Sequence, residues 1–325
     1  MDHLLTGLRA AAETTRLRLL ALCARAELTV SDLTQILGQS QPRVSRHLKQ
    51  LCDAGLLDRS RDGAWVHYRL ARGGSDLGRR LVELLPVDDA TLALDLDRLA
   101  AIQRARAERA AEYFRRNAAN WDAIRSLHVD EAEVERALLG LIEIDRSCEM
   151  LDVGTGTGRM LVLLGPHIGQ GLGVDASRAM LDIARANLDE AGLRNCVVRH
   201  GDMYQLALPG AAFDLVTIHQ VLHFAEDPAA AVAEAARVLR PGGQLVVVDF
   251  APHGLETLRL EHQHLRLGIS DADMAAWCRA AGLTPRPALR LPGDPLTVML
   301  WTARRQGRRA VDRATGREEL VEVRA

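Results

Sequence analysis

Apolar residues recur at helical spacing through "RAAAETTRLRLLALCARA", residues 9–26, among them Leu17, Leu20, Leu22 and Ala24. This predicts one helix. "TVSDLTQILG" predicts a second, short one, ended by Gly38. Ser40 stands where a cap belongs for a third, and Pro42 falls in its first turn, where a missing N–H costs nothing. That third helix turns Val44, Leu48 and Leu51 inward and ends near Gly55. In "LLDRSRDGAWVHYRL" the pair Asp62–Gly63 is a hairpin-turn signal between two short strands. Three helices followed by a hairpin predict a winged helix-turn-helix over residues 1–86.

The stretch 71–78, "ARGGSDLG", reads as a break, and 79–85 as a short helix closed by Pro86. From Asp88 toward Asn120 the pattern is one long helix, with Leu92, Leu96, Leu99 and Ile102 in a stripe. Residues 87–120 are expected to be a helical connector, and whether the stripe joins the domains or pairs with a copy of itself is not decided by spacing alone. From Glu131 onward, strands and helices alternate. Strands are expected at 148–153, 171–174, 196–200, 213–218, 244–249, 287–291 and 296–303, and helices at 158–166, 177–191, 228–239 and 271–281. The second domain is thus α/β over 121–303 and ends in an antiparallel hairpin. The charged tail, 304–325, is expected to be loose. No internal repeat is visible.

Composition bears on function only locally. The 325 residues suffice for two domains, and the formal charge of −2 shows no global basic excess. Residues 1–86 hold 13 Arg and Lys against 9 Asp and Glu, and the excess gathers at 43–49 and 59–61, the third helix and the hairpin. The five cysteines are scattered with no close pair, which fits reduced thiols. With neither a transmembrane-length apolar run nor a cleavable leader pattern, the expectation is a cytoplasmic protein with no membrane partner.

The densest chemistry lies in "DVGTGTG". Gly154, Gly156 and Gly158 follow a strand and open a helix, where glycine lets the backbone turn sharply and approach a ligand. Asp175 ends the next strand and can accept hydrogen bonds from a ribose diol. Asp202, after the third strand, can accept from an adenine amine, with Met203 as an apolar surface beside the ring. Such a loop fits an adenine nucleoside cofactor, and NAD is the competing ligand.

"EMLDVGTGTGRM", "GLGVDASRAMLDIAR", "VRHGDM", "FDLVTIHQVLHF" and "EAARVLRPGGQLVVVDF" resemble the successive motifs of class I S-adenosylmethionine-dependent methyltransferases, most of all the ubiquinone and menaquinone branch. The resemblance implies a Rossmann-like seven-stranded sheet of order 3-2-1-4-5-7-6, with strand 7 antiparallel. It implies S-adenosylmethionine or S-adenosylhomocysteine as the ligand. Asp152, Gly154, Thr155, Gly156 and Gly158 would line its methionine end, and Asp175, with Ala176 and Met180, its ribose. Asp202 and Met203 would flank the adenine. His219 would stand where donor methyl and acceptor meet.

Upstream, "LTVSDLTQILGQSQPRVSRHLKQLCDAGLLDRSRDGAWVHYRL" resembles the ArsR/SmtB winged-helix repressors. That implies a homodimer reading a palindromic double-stranded DNA operator in adjacent major grooves. Gln41, Arg43, Ser45, Arg46 and Lys49 have the chemistry for base edges and phosphates, and Arg59 and Arg61 at the hairpin that for the backbone. His47 is read as packed. Thr29 and Ser31 stand where metal-sensing relatives carry cysteines, and hydroxyls are poor soft-metal ligands. No metal is assigned, and the second domain becomes the natural sensor.

His219 and His223, four apart, are the catalytic candidates, since imidazole suits a general base near neutrality. His253, His262 and His264 are read as locally satisfied, and Tyr113 and Trp121 as core or an apolar lid. The cysteine positions do not support arsenic chemistry. Two readings follow. The first is a DNA-binding regulator that senses S-adenosylmethionine or S-adenosylhomocysteine, with methionine and methyl-cycle genes as its targets. The alternative is a methyltransferase acting on a small-molecule acceptor, its winged helix used for dimerisation or autoregulation. The regulator is ranked first because no acceptor motif matches the cofactor loop in strength.

Overall fold

The structure is a computed structural model, and it describes residues 1–62, 65–71, 77–118, 121 and 130–307. The expected turn at Gly63, most of the break at 71–78, and the tail beyond 307 lie outside the described residues.

The first helical pattern splits in two. α1 (Asp2–Ala11) stops before Glu13, whose carboxylate accepts the backbone N–H of Arg16 at 2.9 Å and starts α2 (Thr14–Arg25). The expected single helix over 9–26 fails because Glu13 is a cap. β1 (Leu28–Thr29) leads into α3 (Val30–Leu37), which opens with a capping box between Thr29 and Asp32 and ends at Gly38 in left-handed conformation (φ 64°). α4 (Gln41–Asp53) buries Val44, Leu48 and Leu51 as expected. Ser40 precedes it, but its side chain makes no cap bond. The wing, β2 (Leu57–Asp62) and β3 (Trp65–Leu70), is antiparallel and pairs Asp62 with Trp65, while β1 joins β3 on its other edge.

α5 (Leu77–Glu83) and α6 (Ala90–Asn117) follow. Asp89 caps α6 by accepting from the N–H groups of Thr91 and Leu92. Of its apolar stripe, Leu99 is buried in the N-terminal core and Ile102 packs against it, while Leu96 is exposed. A bidentate pair fixes α6 to α2: Arg18 donates from Nε and Nη2 to Asp95 at 2.6 and 2.8 Å.

α7 (Glu131–Leu141) precedes the large sheet. β4 (Glu149–Val153), β5 (Gln170–Asp175) and β6 (Cys196–His200) are parallel, as is β7 (Phe213–His219) on the other side of β4. β8 (Leu239–Phe250) continues the parallel run, and β11 (Val298–Arg305) lies antiparallel to it. With β10 (Leu289–Leu291) outermost, the order is β10-β11-β8-β7-β4-β5-β6, and β9 (Leu283–Pro285) also pairs with β11. This is the expected Rossmann-like order with one short strand added. α8 (Arg159–Leu164), α9 (Arg178–Glu190), α10 (Pro228–Val238) and α12 (Asp271–Ala280) occupy the expected places. α11 (Glu256–Glu261) was not expected. Two apolar clusters cover the two faces of the sheet, and a third fills the winged-helix region. Among the described residues no helix is long and apolar enough to cross a membrane.

Asp95 is 1% exposed, so removing its carboxylate strands the Arg18 guanidinium at the interface of α2 and α6. Asp95→Ala is expected to cost about 3 kcal/mol. Urea unfolding checks this: the first transition moves to lower denaturant at unchanged slope.

Candidate functional site

The carboxyl ends of β4, β5 and β6 open onto one cavity of about 630 Å³, within the usual range of ligand sites. Glycine shapes its floor. Gly154 has φ 70°, and a Cβ there would lie 2.4 Å from Val221. Its N–H and that of Thr155 both donate to the Val174 carbonyl, at 2.8 and 3.0 Å, folding the loop back onto β5. Gly156 (φ 53°) donates to Asp175 Oδ2 at 2.8 Å, and a Cβ on it would point at the Trp121 indole 3.6 Å away. The other Asp175 oxygen accepts from the Ser177 N–H at 2.7 Å. Asp175 thus ties the loop after β4 to the loop after β5. Burial raises its pKa despite those backbone donors.

Asp152 is buried and accepts the Thr217 hydroxyl at 2.7 Å, which fixes its carboxylate at the cavity wall. Thr155, Ala176, Met180, Asp202, Met203 and His219 also line the cavity. Asp202 is exposed and accepts the Tyr204 N–H at 2.9 Å. Gly158 does not line it. Its left-handed φ of 82° starts α8, where a Cβ would crowd Ala184 at 3.2 Å.

The two catalytic candidates separate. His219 ends β7 and borders the cavity. His223 is 2% exposed and is not among the lining residues. Its Nδ1 lies 2.7 Å from Asp249 Oδ1, so Nδ1 carries the proton, and its backbone N–H donates to Asp249 Oδ2. Its carbonyl accepts from the N–H groups of Leu265 and Arg266. His223 holds a loop in place, and its four-residue spacing from His219 does not bring both rings to one mouth because the intervening turn is 3₁₀.

His264, expected to be bland, does line the cavity, stacked on His223 at 4.1 Å. His262 lies 2.7 Å from the Tyr113 hydroxyl, whose pKa burial pushes up to about 12, so that hydroxyl stays a donor. His253 accepts the Leu255 N–H. None of the five cysteines lines the cavity.

Sequence reasoning missed several walls. Phe114 and Phe224 pack edge to face at 4.9 Å and meet Trp121 at 5.3 and 6.1 Å, forming an aromatic cover over the glycine loop. Trp121 is therefore part of a lid, while Tyr113 packs behind it. Gln220, buried with φ 55°, holds a backbone state unfavourable for a side chain, and its N–H donates to Val248 O at 2.7 Å. Trp65, Arg106 and Arg109 come from the wing and α6. A helical aromatic run such as "EYF" hints at a lid, but nothing local signals a wing residue.

On the winged-helix surface, Gln41, Arg43, Arg46 and Lys49 are exposed and Ser45 is half-buried. Arg59 and Arg61 are exposed on β2. His47 is buried, as expected, 3.7 Å from Glu13.

Comparison with known proteins agrees with this division. Residues 151–247 match the family described as "Methyltransferase domain", and residues 13–59 match "Bacterial regulatory protein, arsR family". The chain is an arsR-type helix-turn-helix domain fused to a class I S-adenosylmethionine-dependent methyltransferase domain. Among curated relatives it is 33% identical over 119 residues to an uncharacterized methyltransferase, YcgJ, of Bacillus subtilis, covering 35% of this chain and 47% of that protein. It is 31% identical over 147 residues to demethylmenaquinone methyltransferase of Listeria welshimeri, covering 44% and 62%. The chain thus spans about half the length of these relatives. A Haloferax volcanii protein solved with the Trm112 methyltransferase activator shares the fold, with a TM-score of 0.52 at 20% identity, over 61% of this chain and 98% of that one.

The cofactor of such a domain is S-adenosylmethionine, or S-adenosylhomocysteine after transfer. The residues present fit it: three carboxylates end successive strands, and Gly156 leaves open the space that a Cβ would take below Trp121. Asp175→Ala is expected to weaken S-adenosylhomocysteine binding tenfold or more, about 1.5–3 kcal/mol per lost charged hydrogen bond. Wild-type affinity should be full where Asp175 is ionised and fall as pH drops through its pKa. Because burial raises that pKa, the fall begins above the ordinary carboxylate range. Calorimetry across pH reads both effects.

Proposed function

We propose that the protein is an S-adenosylmethionine-dependent methyltransferase acting on a small-molecule acceptor. The observation that carries this reading is the size and lining of the cavity at the glycine loop. Beyond the glycine loop it extends to His219, Phe224, His264 and Leu265, more wall than a cofactor alone requires. Bound S-adenosylmethionine supplies an activated methyl on a sulfonium. The protein's part is to bind, align and keep water out. Asp152 and Asp175 hold the donor. Phe114, Trp121 and Phe224 cover it. His219 takes a proton where the acceptor has one to lose.

This places turnover above sensing, the reverse of the ranking from sequence alone. The similarity to named methyltransferases supports that order. Protein incubated with S-adenosylmethionine carrying a tritiated methyl and a small-molecule cell extract should label an extractable product through many turnovers. His219→Ala should lower the rate at least about a hundredfold, with S-adenosylhomocysteine affinity retained. No label above background, at any acceptor fraction, overturns the reading.

A second reading, regulation of transcription, has its own support. The exposed side of α4 offers Gln41, Arg43, Arg46 and Lys49, with Asp53 the acid at its C-terminal end. Homodimerisation is supported by Leu4, Leu5 and Leu8 on α1, and by Leu84, Val87 and Leu94 around α5 and α6, all exposed. The two readings coexist if the winged helix controls its own gene. Replacing Arg43 and Arg46 together should abolish specific binding to fragments of the source genome, while dimer mass and S-adenosylhomocysteine affinity stay unchanged. Anisotropy at fixed moderate salt measures it.

A further inference from the structure

The methyltransferase domain does not close its own cavity. Its lining also includes Trp65 from β3 together with Arg106 and Arg109 from α6. These contacts are built. The Arg259 guanidinium lies 4.5 Å from the centroid of the Trp65 ring. Arg259 is itself buried, donates to the Leu265 carbonyl at 2.9 Å and meets Glu256 at 3.3 Å. The loop carrying Leu265 and Arg266 is bonded to the His223 carbonyl on one side. On the other, Arg266 donates to Glu27 Oε2 at 2.8 Å, and Glu27 also takes the Ser60 hydroxyl of β2. Burial alone would raise the Glu27 carboxyl, but Arg266 and Arg69 outweigh it and hold it below its ordinary value. Arg106 reaches Asp32 at 2.6 Å and Glu226 at 3.6 Å.

We propose that Trp65, with Arg106 and Arg109, forms the acceptor-side wall of the methyltransferase cavity, and that this wall selects a planar ring bearing a negative group. The inference rests on the methyltransferase reading. The ring follows from the aromatic side chains among the lining residues, Trp65, Phe114 and Phe224. The charge follows from Arg109, which lines the cavity with Arg106, Arg259 and Glu226. Arg106 and Arg259 have carboxylate partners. The only hydrogen bond described for the Arg109 guanidinium goes to the Ala105 carbonyl of its own helix, which leaves four of its five donors for a ligand. Trp65 remains 42% exposed, so its ring is a surface that a ligand can cover.

The test uses the full-length protein saturated with S-adenosylhomocysteine and two fluorescent probes, anilinonaphthalene sulfonate and its uncharged counterpart phenylnaphthylamine. The sulfonate should bind at least about fivefold more tightly than the neutral probe. Trp65→Ala should weaken it about fivefold or more, Trp65→Phe should restore most of the affinity, and Arg109→Gln should erase the preference for the anion. S-adenosylhomocysteine affinity should not move in any variant. Sulfonate binding indifferent to Trp65→Ala overturns the shared wall. Equal binding of the two probes by wild type overturns the anionic class. Failure of wild type to bind S-adenosylhomocysteine brings down the cofactor assignment and this inference with it, a result separate from the other two.

Discussion

A buried carboxylate must be satisfied by nearby donors, and Asp32 is the one around which the two halves of the chain are arranged. One oxygen accepts the backbone N–H and hydroxyl of Thr29, at 2.9 and 2.8 Å, and so starts α3. The other accepts Arg106 from α6 at 2.6 Å. Neither bond is optional, because an ionised group left unpaired at this depth costs several kcal/mol. The consequence is geometric. Arg106 cannot leave Asp32 without exposing it, and the same guanidinium faces Glu226 at the cavity. α3 of the winged-helix domain, the connecting helix and the methyltransferase pocket therefore meet at one side chain.

α6 transmits that constraint along its length. Asp95 holds it to α2 near its start, and Arg106 sits at its middle. Phe114, two turns further on, reaches the aromatic cover over the glycine loop. A helix rises about 1.5 Å per residue, so this one helix of 28 residues runs from the winged-helix core to the aromatic cover. The wing makes a second, independent link through Glu27, Arg266, Trp65 and Arg259. Two links at separate points fix orientation as well as distance.

Local patterns made most of the fold legible. Strands β4, β5, β7 and β8 carry the apolar runs that parallel pairing requires and overlap their expected places, with β8 starting earlier, at Leu239. The glycine loop and Asp175 were legible for a related reason: their chemistry depends on positions adjacent in one β-α-β unit. What escaped depends on long-range contact. His223 and His264 exchanged roles because Asp249, 26 residues away, claims the first ring and leaves the second at the cavity. Glu13 looked like a polar position inside a helix until its side chain was seen to cap the next one. Trp65 read as a wing residue, with nothing in its neighbours to announce Arg259, 194 positions on.

The shared wall also bounds how ligand and DNA can affect each other. A ligand shifts the wing only as far as it prefers one arrangement of Trp65 and Arg106 over another, however tightly it binds. On the proposed reading, S-adenosylhomocysteine is held by the glycine loop, Asp152 and Asp175 rather than by Trp65, and has little basis for that preference. An acceptor lying on Trp65 has a direct one. On the proposed reading, then, the signal that reaches the winged helix is carried by the acceptor more than by the cofactor. Linkage makes this reciprocal: DNA that draws the wing away from Arg259 must weaken the acceptor by the same factor. A methyltransferase coupled in this way responds to its substrate, and a regulator so coupled reports on what awaits methylation rather than on the state of the methyl donor.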